Sequence, residues 1–483
     1  MNISEELKNI RKNGNKVLIV GLGISGIESA KFCRRNKLAF LLVEREAQET
    51  FLKKSKFKEP VQQLMEEGAE VHFGIDGERI KEKLDNVKLA ILSPGVPLES
   101  AICAALKRNS IPFISELELG IEIQKLPNIV VTGSNGKTTT VSLLHDILKR
   151  ADFDSSLCGN VGIPVISSIE SDFENTSNAA NKILVVEASS YQLETCTTLK
   201  PKVAILLNIS ENHLERHGDI NRYLKTKAKV FENQDKNDIA ILSADDPKIS
   251  ALRHEIKATV QAFGVGEPEN HYAAYAKINY KPQSGLDQIQ VNNEIYEIKE
   301  SKLRGLHNRF NIAASVLAAR HLNVSQAVIQ ESVNHFNPLE HRLEYCGKLK
   351  GIDCINDSKS TTVAAAIAAL STVLNDYGKT KITLMLGGLS KAGSWDPLCK
   401  LIKQNEPALN KVICFGKDSS LIANYCRNFK IPHATSDNLK AGFESALSES
   451  TEGNVILFSP GCASFDEFSD FEERGREFKK LVK

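Results

Sequence analysis

The 483-residue chain has ten scattered cysteines and no C-x-x-C pair among them. That spacing excludes a zinc ribbon and argues against a disulfide framework, so reduced, mostly buried thiols in a cytoplasmic setting are expected. No run of apolar residues is long enough to cross a bilayer, and membrane insertion is not expected. Residues 1–16 are polar and mixed in charge, without the apolar stretch of a secretory signal. Charge of one sign is missing as well: 61 Lys and Arg stand against 60 Asp and Glu, a net charge of +1. No bulk field therefore points to nucleic acid or anionic lipid. Internal repeats, coiled-coil heptads and low-complexity tracts are absent from the sequence. What remains is ordinary for a soluble globular protein, 42% hydrophobic and 25% charged. At ~100–200 residues per domain, the length predicts three domains.

The strongest local signal is Ile129-Val130-Val131-Thr132-Gly133-Ser134-Asn135-Gly136-Lys137-Thr138-Thr139-Thr140, followed by a helical pattern. A β-branched run, a glycine-bearing turn and a helix start are what a polyphosphate needs. Glycines let backbone N–H groups approach the oxygens, the helix N-terminus adds partial positive charge, and Lys137 reaches the outer phosphates. A threonine hydroxyl after the lysine can ligate Mg²⁺. The Walker pattern is incomplete, because Val131 stands where its first glycine belongs. The competing reading is a glycine turn with a surface lysine. Downstream, buried-strand patterns end in Glu187, in Asn208 to His213, and in Ser243 to Asp246. Several strand ends thus converge on the edge that carries the loop. Glu187 is the leading Mg²⁺ ligand, since a hard cation wants carboxylate oxygen. His213 suits phosphate or Mg²⁺, with His217 structural.

An earlier strand, Lys16 to Val20, runs into Gly21-Leu22-Gly23-Ile24-Ser25-Gly26 and a helical stretch, with Glu44 ending the next strand. This G-x-G-x-x-G setting alone suggests NAD, yet the same loop holds any diphosphate. Ser93-Pro94-Gly95 forms a second turn at a strand end. Residues 158–164 read as a polar loop, and 265–300 as polar and irregular apart from a hairpin turning at Asn292-Asn293. Asn308 and Asn311 suit amide recognition of a base edge, or merely cap a helix. After Asn337-Pro338, strands alternate again with helices, ending in Asp357-Ser358-Lys359-Ser360-Thr361, in Gly387-Gly388, and in Ser459 to Asp466. The expected architecture is α/β: a Rossmann-like domain over 1–115, a central P-loop mononucleotide-binding ATPase domain over 116–338, and a Rossmann-like domain over 339–483.

The stretches T-G-S-N-G-K-T-T, G-N-V-G-I-P, E-A-S-S-Y-Q-L-E, H-L-E-R-H, L-x-x-H-N-x-x-N, E-H-R-L-E, D-S-K-S-T and S-P-G-C-A-S-F-D-E-F occur in that order. On these motifs the chain resembles the Mur ligases of peptidoglycan synthesis, and most nearly their D-glutamate-adding branch. The resemblance spans all but about residues 265–300. It implies a cytoplasmic, monomeric ligase that uses ATP and two Mg²⁺ ions to join D-glutamate to UDP-N-acetylmuramoyl-L-alanine through an acyl phosphate. It implies ATP contacts from Gly133, Ser134, Asn135, Gly136, Lys137, Thr138, Thr139, Asn308, Asn311, Arg342 and Asp357. The metal ligands implied are Thr138, Glu187, His213 and Lys227, the last as a carbamate. Lys137, His213, Lys227 and Lys359 would be catalytic. Gly23, Ile24, Ser25 and Gly26 would hold the UDP diphosphate and uracil rather than NAD. Ser93, Pro94, Gly95, Asn160 and Ser189 would line the path of the muramoyl-alanine arm, and Thr361, Lys391, Ser464 and Phe471 would surround D-glutamate. Four departures stand out: Asn212 for the usual aspartate, Glu215 for another, Leu389-Ser390 in place of an acid before Lys391, and the ending Glu44-Arg45-Glu46. A sibling ligase or folylpolyglutamate synthase, and a nucleotide-sensing binding protein, are the alternatives. The D-N-P-R motif of the diaminopimelate-adding sibling is absent.

Overall fold

A computed structural model describes residues 2–54, 57–169, 173–174, 181–210, 214–268, 271–281, 284–303, 305–337, 340–378, 380–390 and 393–483. Among them three mainly parallel sheets form, covered by helices, an α/β fold of three domains. The first sheet contains β1 (Lys16–Val20), β2 (Ala39–Val43), β3 (Glu70–His72), β4 (Val87–Leu92) and β5 (Phe113–Ser115). Their order is β3-β2-β1-β4-β5, parallel throughout. Strands covered on both faces read as unbroken aliphatic runs, and Val17, Leu18 and Ile19 are fully buried. The chain leaves β1 for β2 on one side while β4 flanks it on the other. A crevice therefore opens beyond the C-terminal ends of β1 and β4, the switch point at which such sheets bind ligands.

The second sheet contains β6 (Asn128–Thr132), β7 (Asp154–Gly159), β8 (Lys182–Glu187), β9 (Val203–Leu206), β10 (Ile239–Ser243), β11 (Thr259–Val265), β12 (Tyr275–Lys281), β13 (Leu286–Val291) and β14 (Glu294–Glu297). Its order, β14-β13-β12-β11-β10-β9-β6-β8-β7, puts β6 at the switch point between β9 and β8. Two expectations change here. Residues 158–159 belong to β7, an edge strand whose polar Ser155 and Ser156 hide it from a hydrophobic pattern. The described residues within 265–300 include β12, β13 and β14, which extend one side of the sheet and end it at β14, and the antiparallel β13–β14 pair tolerates polar residues on one face. The Asn-Asn turn is there, with Asn292 left-handed at φ 53.

The third sheet contains β15 (Glu344–Leu349), β16 (Ile352–Asn356), β17 (Ile382–Gly387), β18 (Leu409–Phe415), β19 (His433–Ser436) and β20 (Val455–Gly461), in the order β15-β16-β20-β17-β18-β19. By mutual contact the chain falls into two compact units. Unit one is 1–279 with 288–298 and 310–333; unit two is 280–287 with 299–309 and 334–483. All ten cysteines are outside disulfides, and all but the half-buried Cys346 are buried. No described helix is long and apolar enough to cross a membrane.

The last helix, Phe471–Val482, closes the third sheet. Asp470 caps it by accepting from the Glu473 N–H. Phe478 is fully buried, stacked 4.5 Å from the Phe458 ring and edge-on to Phe443 at 5.4 Å. Phe478→Ala should cost about 3–5 kcal/mol in urea unfolding through the cavity it leaves; a loss below about 1 kcal/mol would mean that the helix is not clamped by this ring.

Candidate functional site

In unit one, β6 delivers the chain to Gly133, whose φ of +151 and lack of a side chain let the loop turn under β9. The turn is braced on Asn208. The Ser134 N–H donates to the Asn208 carbonyl at 3.0 Å and the Asn135 N–H to its Oδ1 at 2.9 Å, while its Nδ2 returns a bond to the Asn135 carbonyl at 3.0 Å. Gly136 is left-handed at φ +85, and a Cβ there would fall 2.2 Å from Asn311 Oδ1. Only glycine lets the buried Asn311 carboxamide lie against the turn. The helix Lys137–Arg150 starts at the next residue, which points its amide end at the loop. Lys137 Nζ folds back over the turn, 2.8 Å from the Gly133 carbonyl and 2.9 Å from that of Ser134. Thr138 and Thr139 are buried beside it.

Lys227 comes from the helix Ile220–Ala228, which is capped by Asp219. It is 1% exposed. Its Nζ donates to the Gly133 carbonyl at 2.9 Å and the Thr132 hydroxyl at 3.4 Å, and lies 4.7 Å from the Tyr223 ring centroid. Burial, reinforced by the charge of Lys137, pushes its pKa well below that of an ordinary lysine, against a smaller pull from Glu187. Burial of this kind disfavours the charged form of the amine. Glu187, at the end of β8, is 2% exposed. Its Oε1 accepts from Asn160 Nδ2 at 2.7 Å, and its Oε2 is buried with no donor among the described residues. A buried carboxylate oxygen without a donor asks for an ion or a water. The residues present thus fit a divalent cation next to the loop, with Glu187 and Thr138 as oxygen donors. Among the described residues no three His, Cys, Asp or Glu side chains cluster as a metal site. His213 and Asn212 lie outside them. His217 is buried, bonded to Ser190 Oγ at 3.0 Å and packed between Tyr191 and Tyr223.

The first-sheet crevice lies in the same unit. Gly21 has φ +96, and a Cβ there would meet Ser93 Oγ at 2.8 Å; one on Gly26 would lie 1.9 Å from the Gly21 carbonyl. Gly21 is required by its left-handed backbone and by the close approach of Ser93, and Gly26 by the close approach of the helix Ile24–Arg35 to the loop. Gly23 precedes that helix as its N-cap. Ile24 is 53% exposed, an unusual investment of apolar surface at a loop tip. Ser93 donates to the Gly21 carbonyl at 3.2 Å, and the turn through Pro94 and Gly95 closes with the Val96 N–H on the Ser93 carbonyl. Ser189 forms a capping box with Gln192 at the start of the helix Ser190–Glu194.

Unit two gathers the other predicted residues. Asp357, at the end of β16, accepts from Ser459 Oγ at 2.8 Å and the Leu343 N–H at 3.2 Å, joining the ends of β16 and β20. Arg342 and Arg474 both act on its charge. Lys359 Nζ lies 3.7 Å above the Phe471 ring centroid, a cation–π contact that pairs two residues expected to serve different substrates. Ser464 is buried, and its carbonyl accepts from Glu467 and Phe468. Thr361 is half-buried one residue before the cap of the helix Val363–Tyr377. Asn308 is buried on the helix Leu306–His321, one turn before Asn311. Lys391 lies outside the described residues. Its neighbour Ser390 receives the Asp418 carboxylate, Oδ2 accepting its N–H at 2.6 Å, and the Trp395 indole N–H on its Oγ at 3.2 Å. Asp418 brings an acid to the segment where Leu389-Ser390 carries none.

Sequence reasoning missed three supports. Asn208 was visible only as a polar residue after a strand. Tyr223, 3.4 Å from Ser134 Oγ and beneath the Lys227 amine, sits in a helix with no motif. Arg474 is 1% exposed. It ties Ser358 to Cys462, with Nε on Ser358 Oγ, Nη2 on the Ser358 carbonyl and Nη1 on that of Cys462.

Comparison with known proteins fits this arrangement. The profile described as the Mur ligase middle domain matches residues 131–319. The UDP-N-acetylmuramoylalanine--D-glutamate ligase of Koribacter versatilis (strain Ellin345) is 33% identical over 472 residues, covering 97% of each chain. Among solved structures, a pseudomurein peptide ligase type C from Methanothermus fervidus aligns at TM-score 0.57 and 16% identity over 97% of this chain and 100% of its own. The UDP-N-acetylmuramate-alanine ligase MurC from Thermotoga maritima aligns at TM-score 0.55 and 16% identity, over 96% and 98%. At that identity the two structures establish the fold alone.

Two carboxyls give this molecule a pH signature. Burial raises Asp357 to about 7 in unit two and Glu116 to about 7 in unit one, where Glu116 also accepts from the Ile166 N–H. In the unfolded chain both ionise near pH ~4. Their contribution to stability is therefore complete below about pH 4 and lost as pH rises through about 7. Asp357→Asn and Glu116→Gln should each flatten the decline in urea stability between about pH 5 and about pH 8. Slopes equal to that of the unaltered chain would deny the raised values.

Proposed function

The chain belongs to the Mur ligases, in the family of UDP-N-acetylmuramoylalanine--D-glutamate ligases, and from that premise we propose how its residues divide the work. It is an ATP-dependent amide ligase of peptidoglycan precursor synthesis. The γ-phosphate of ATP is presented at the Gly133–Thr139 turn, and the carboxylate of UDP-N-acetylmuramoyl-L-alanine attacks its phosphorus. ADP leaves and an acyl phosphate forms. The amine of D-glutamate then attacks the acyl carbon, phosphate leaves, and an amide remains. Charge builds on phosphoryl oxygens and then on a tetrahedral carbon, so positioning and fixed cations carry the catalysis. The observation that carries this reading is the pairing of that braced turn and Lys137 with a buried Glu187 whose Oε2 has no donor among the described residues.

In this reading the loop amides and Lys137 hold the outer phosphates, and Asn308 and Asn311 serve the adenine end. Asp357 accepts the ribose hydroxyls, and Arg342 and Lys359 sit on the phosphate side. Mg²⁺ supplies charge neutralisation when bound, with Thr138, Glu187, His213 and a carbamylated Lys227 as its donors. A neutral lysine amine is the form that adds CO₂, and the burial that lowers the pKa of Lys227 supports that modification. Gly23 to Gly26 take the UDP moiety. Ser93 to Gly95, Asn160 and Ser189 guide the muramoyl-alanine arm. Thr361, Lys391, Ser464 and Phe471 receive D-glutamate. The working boundaries are 1–115 for the UDP substrate, 116–338 for ATP and 339–483 for the amino acid, in a cytoplasmic monomer.

Phosphate release from ATP with UDP-N-acetylmuramoyl-L-alanine should require D-glutamate. Turnover supported instead by L-glutamate, L-lysine or meso-diaminopimelate would assign the chain to a different ligase. Lys137→Ala should fold normally and lose at least about 100-fold in kcat; near-normal turnover refutes its role. Lys227→Ala should be nearly inactive and regain part of its rate with added formate or acetate. Indifference of both the variant to carboxylate and the unaltered chain to bicarbonate would remove Lys227 from the metal site.

A further inference from the structure

Arg216, in the H-L-E-R-H stretch, has no role in the reaction described above. Arg216 reaches out of its short helix, Leu214–His217, towards the first sheet. Its Nη2 donates to the Val96 carbonyl at 2.9 Å, the closing residue of the Ser93-Pro94-Gly95 turn. The same nitrogen lies 2.5 Å from Glu194 Oε2, and Nε donates to that oxygen at 3.1 Å. The guanidinium carbon is 5.2 Å from the Tyr191 ring centroid. The arginine and glutamate side chains are only 13% and 12% exposed. Glu194 is itself anchored, since Lys229 Nζ donates to its carbonyl at 2.6 Å.

We infer that Arg216 is a positioning residue that sets the turn after β4, and with it the incoming UDP substrate, against the Glu187 end of the second sheet. The inference deepens the reading above and rests on it. A planar guanidinium can bond a carbonyl, a carboxylate and a ring face at once; an ammonium cannot. A backbone carbonyl of the turn after β4 and the Ser190–Glu194 helix that follows Glu187 therefore share one rigid fastener. It lies immediately C-terminal to the segment that carries His213. An ion pair this shielded from water resists screening, and breaking one side leaves the other charge buried. Misplacing a reacting carboxylate by about 1 Å costs on the order of 100-fold in rate, so a fastener between these two elements acts on the UDP substrate more than on ATP. The phosphate-loop braces at Asn208, Lys137 and Tyr223 do not involve Arg216.

The test measures KM for each substrate by phosphate release, together with calorimetric binding of UDP-N-acetylmuramoyl-L-alanine without ATP. Arg216→Ala should raise KM for the UDP substrate at least about tenfold and weaken its binding alike, with KM for ATP within about twofold. Arg216→Lys, which keeps the charge, should fall between. Glu194→Gln, nearly isosteric, should reproduce the Arg216→Lys effect and guards against misfolding of the alanine variant. Equal rises in both KM values, or a fall in thermal stability with no change in the KM ratio, would mean a purely structural role and overturn the inference. An unaltered chain that binds no UDP substrate would bring down the functional reading beneath it. Binding by the unaltered chain matched by all three variants would bring down only the role of Arg216.

Discussion

Burying the amine of Lys227 is the constraint to which the rest of the phosphate site answers. Taking an ammonium out of water is costly unless a partner carboxylate follows it, and none bonds it among the described residues. Burial accordingly holds the pKa of the amine well below that of an ordinary lysine, and Nζ settles on the Gly133 carbonyl and Thr132 hydroxyl. Those two acceptors stand where β6 becomes the loop. The lysine thus fixes the point from which the Ser134 and Asn135 amides turn towards Asn208, and Tyr223 completes the pocket by covering the amine with its ring.

A common rule places the groups of all three sheets. Each opens a crevice where neighbouring strands send their connections to opposite sides. In the first, Gly21 and Ser93 pack too closely for any larger residue. In the second, β6 lies between β8 and β9, and Glu187 and Asn208 flank the loop. In the third, Asp357 and Ser459 join the ends of β16 and β20, with Arg474 stitched below them. Burial at the end of β16 is what raises Asp357. That shift follows from placing a carboxyl at the end of a strand with a buried interior.

What could be read in the sequence is what is local in the chain. The phosphate loop was legible because strand, turn, lysine and helix follow one another within a dozen residues. Glu187 was legible because it ends an aliphatic run. Asn208, Tyr223, Arg474 and Arg216 were not legible as supports, because their partners lie tens of residues away and only the fold brings them together. β7 was hidden by its edge position, where Ser155 and Ser156 break the apolar pattern. Asn311 was half legible: its residue type suggested a base edge, but its packing against Gly136 depends on a glycine 175 positions earlier.

The first loop shows why a motif has to be judged by what its atoms already do. G-x-G-x-x-G followed by an acid at the end of the second strand is the pattern of a dinucleotide site, in which that acid binds a ribose. Here Glu44 Oε2 accepts from the Leu22 N–H at 3.0 Å, and Oε1 accepts from the Arg45 and Glu46 N–H groups at 2.7 and 3.1 Å. Both oxygens are engaged in bracing the loop and its own turn. Ile24, the first residue of the helix that follows the loop, is exposed. A carboxylate engaged by three backbone amides braces the loop and is not turned towards a ribose, and the chain belongs to a ligase family and not to a family of dinucleotide enzymes.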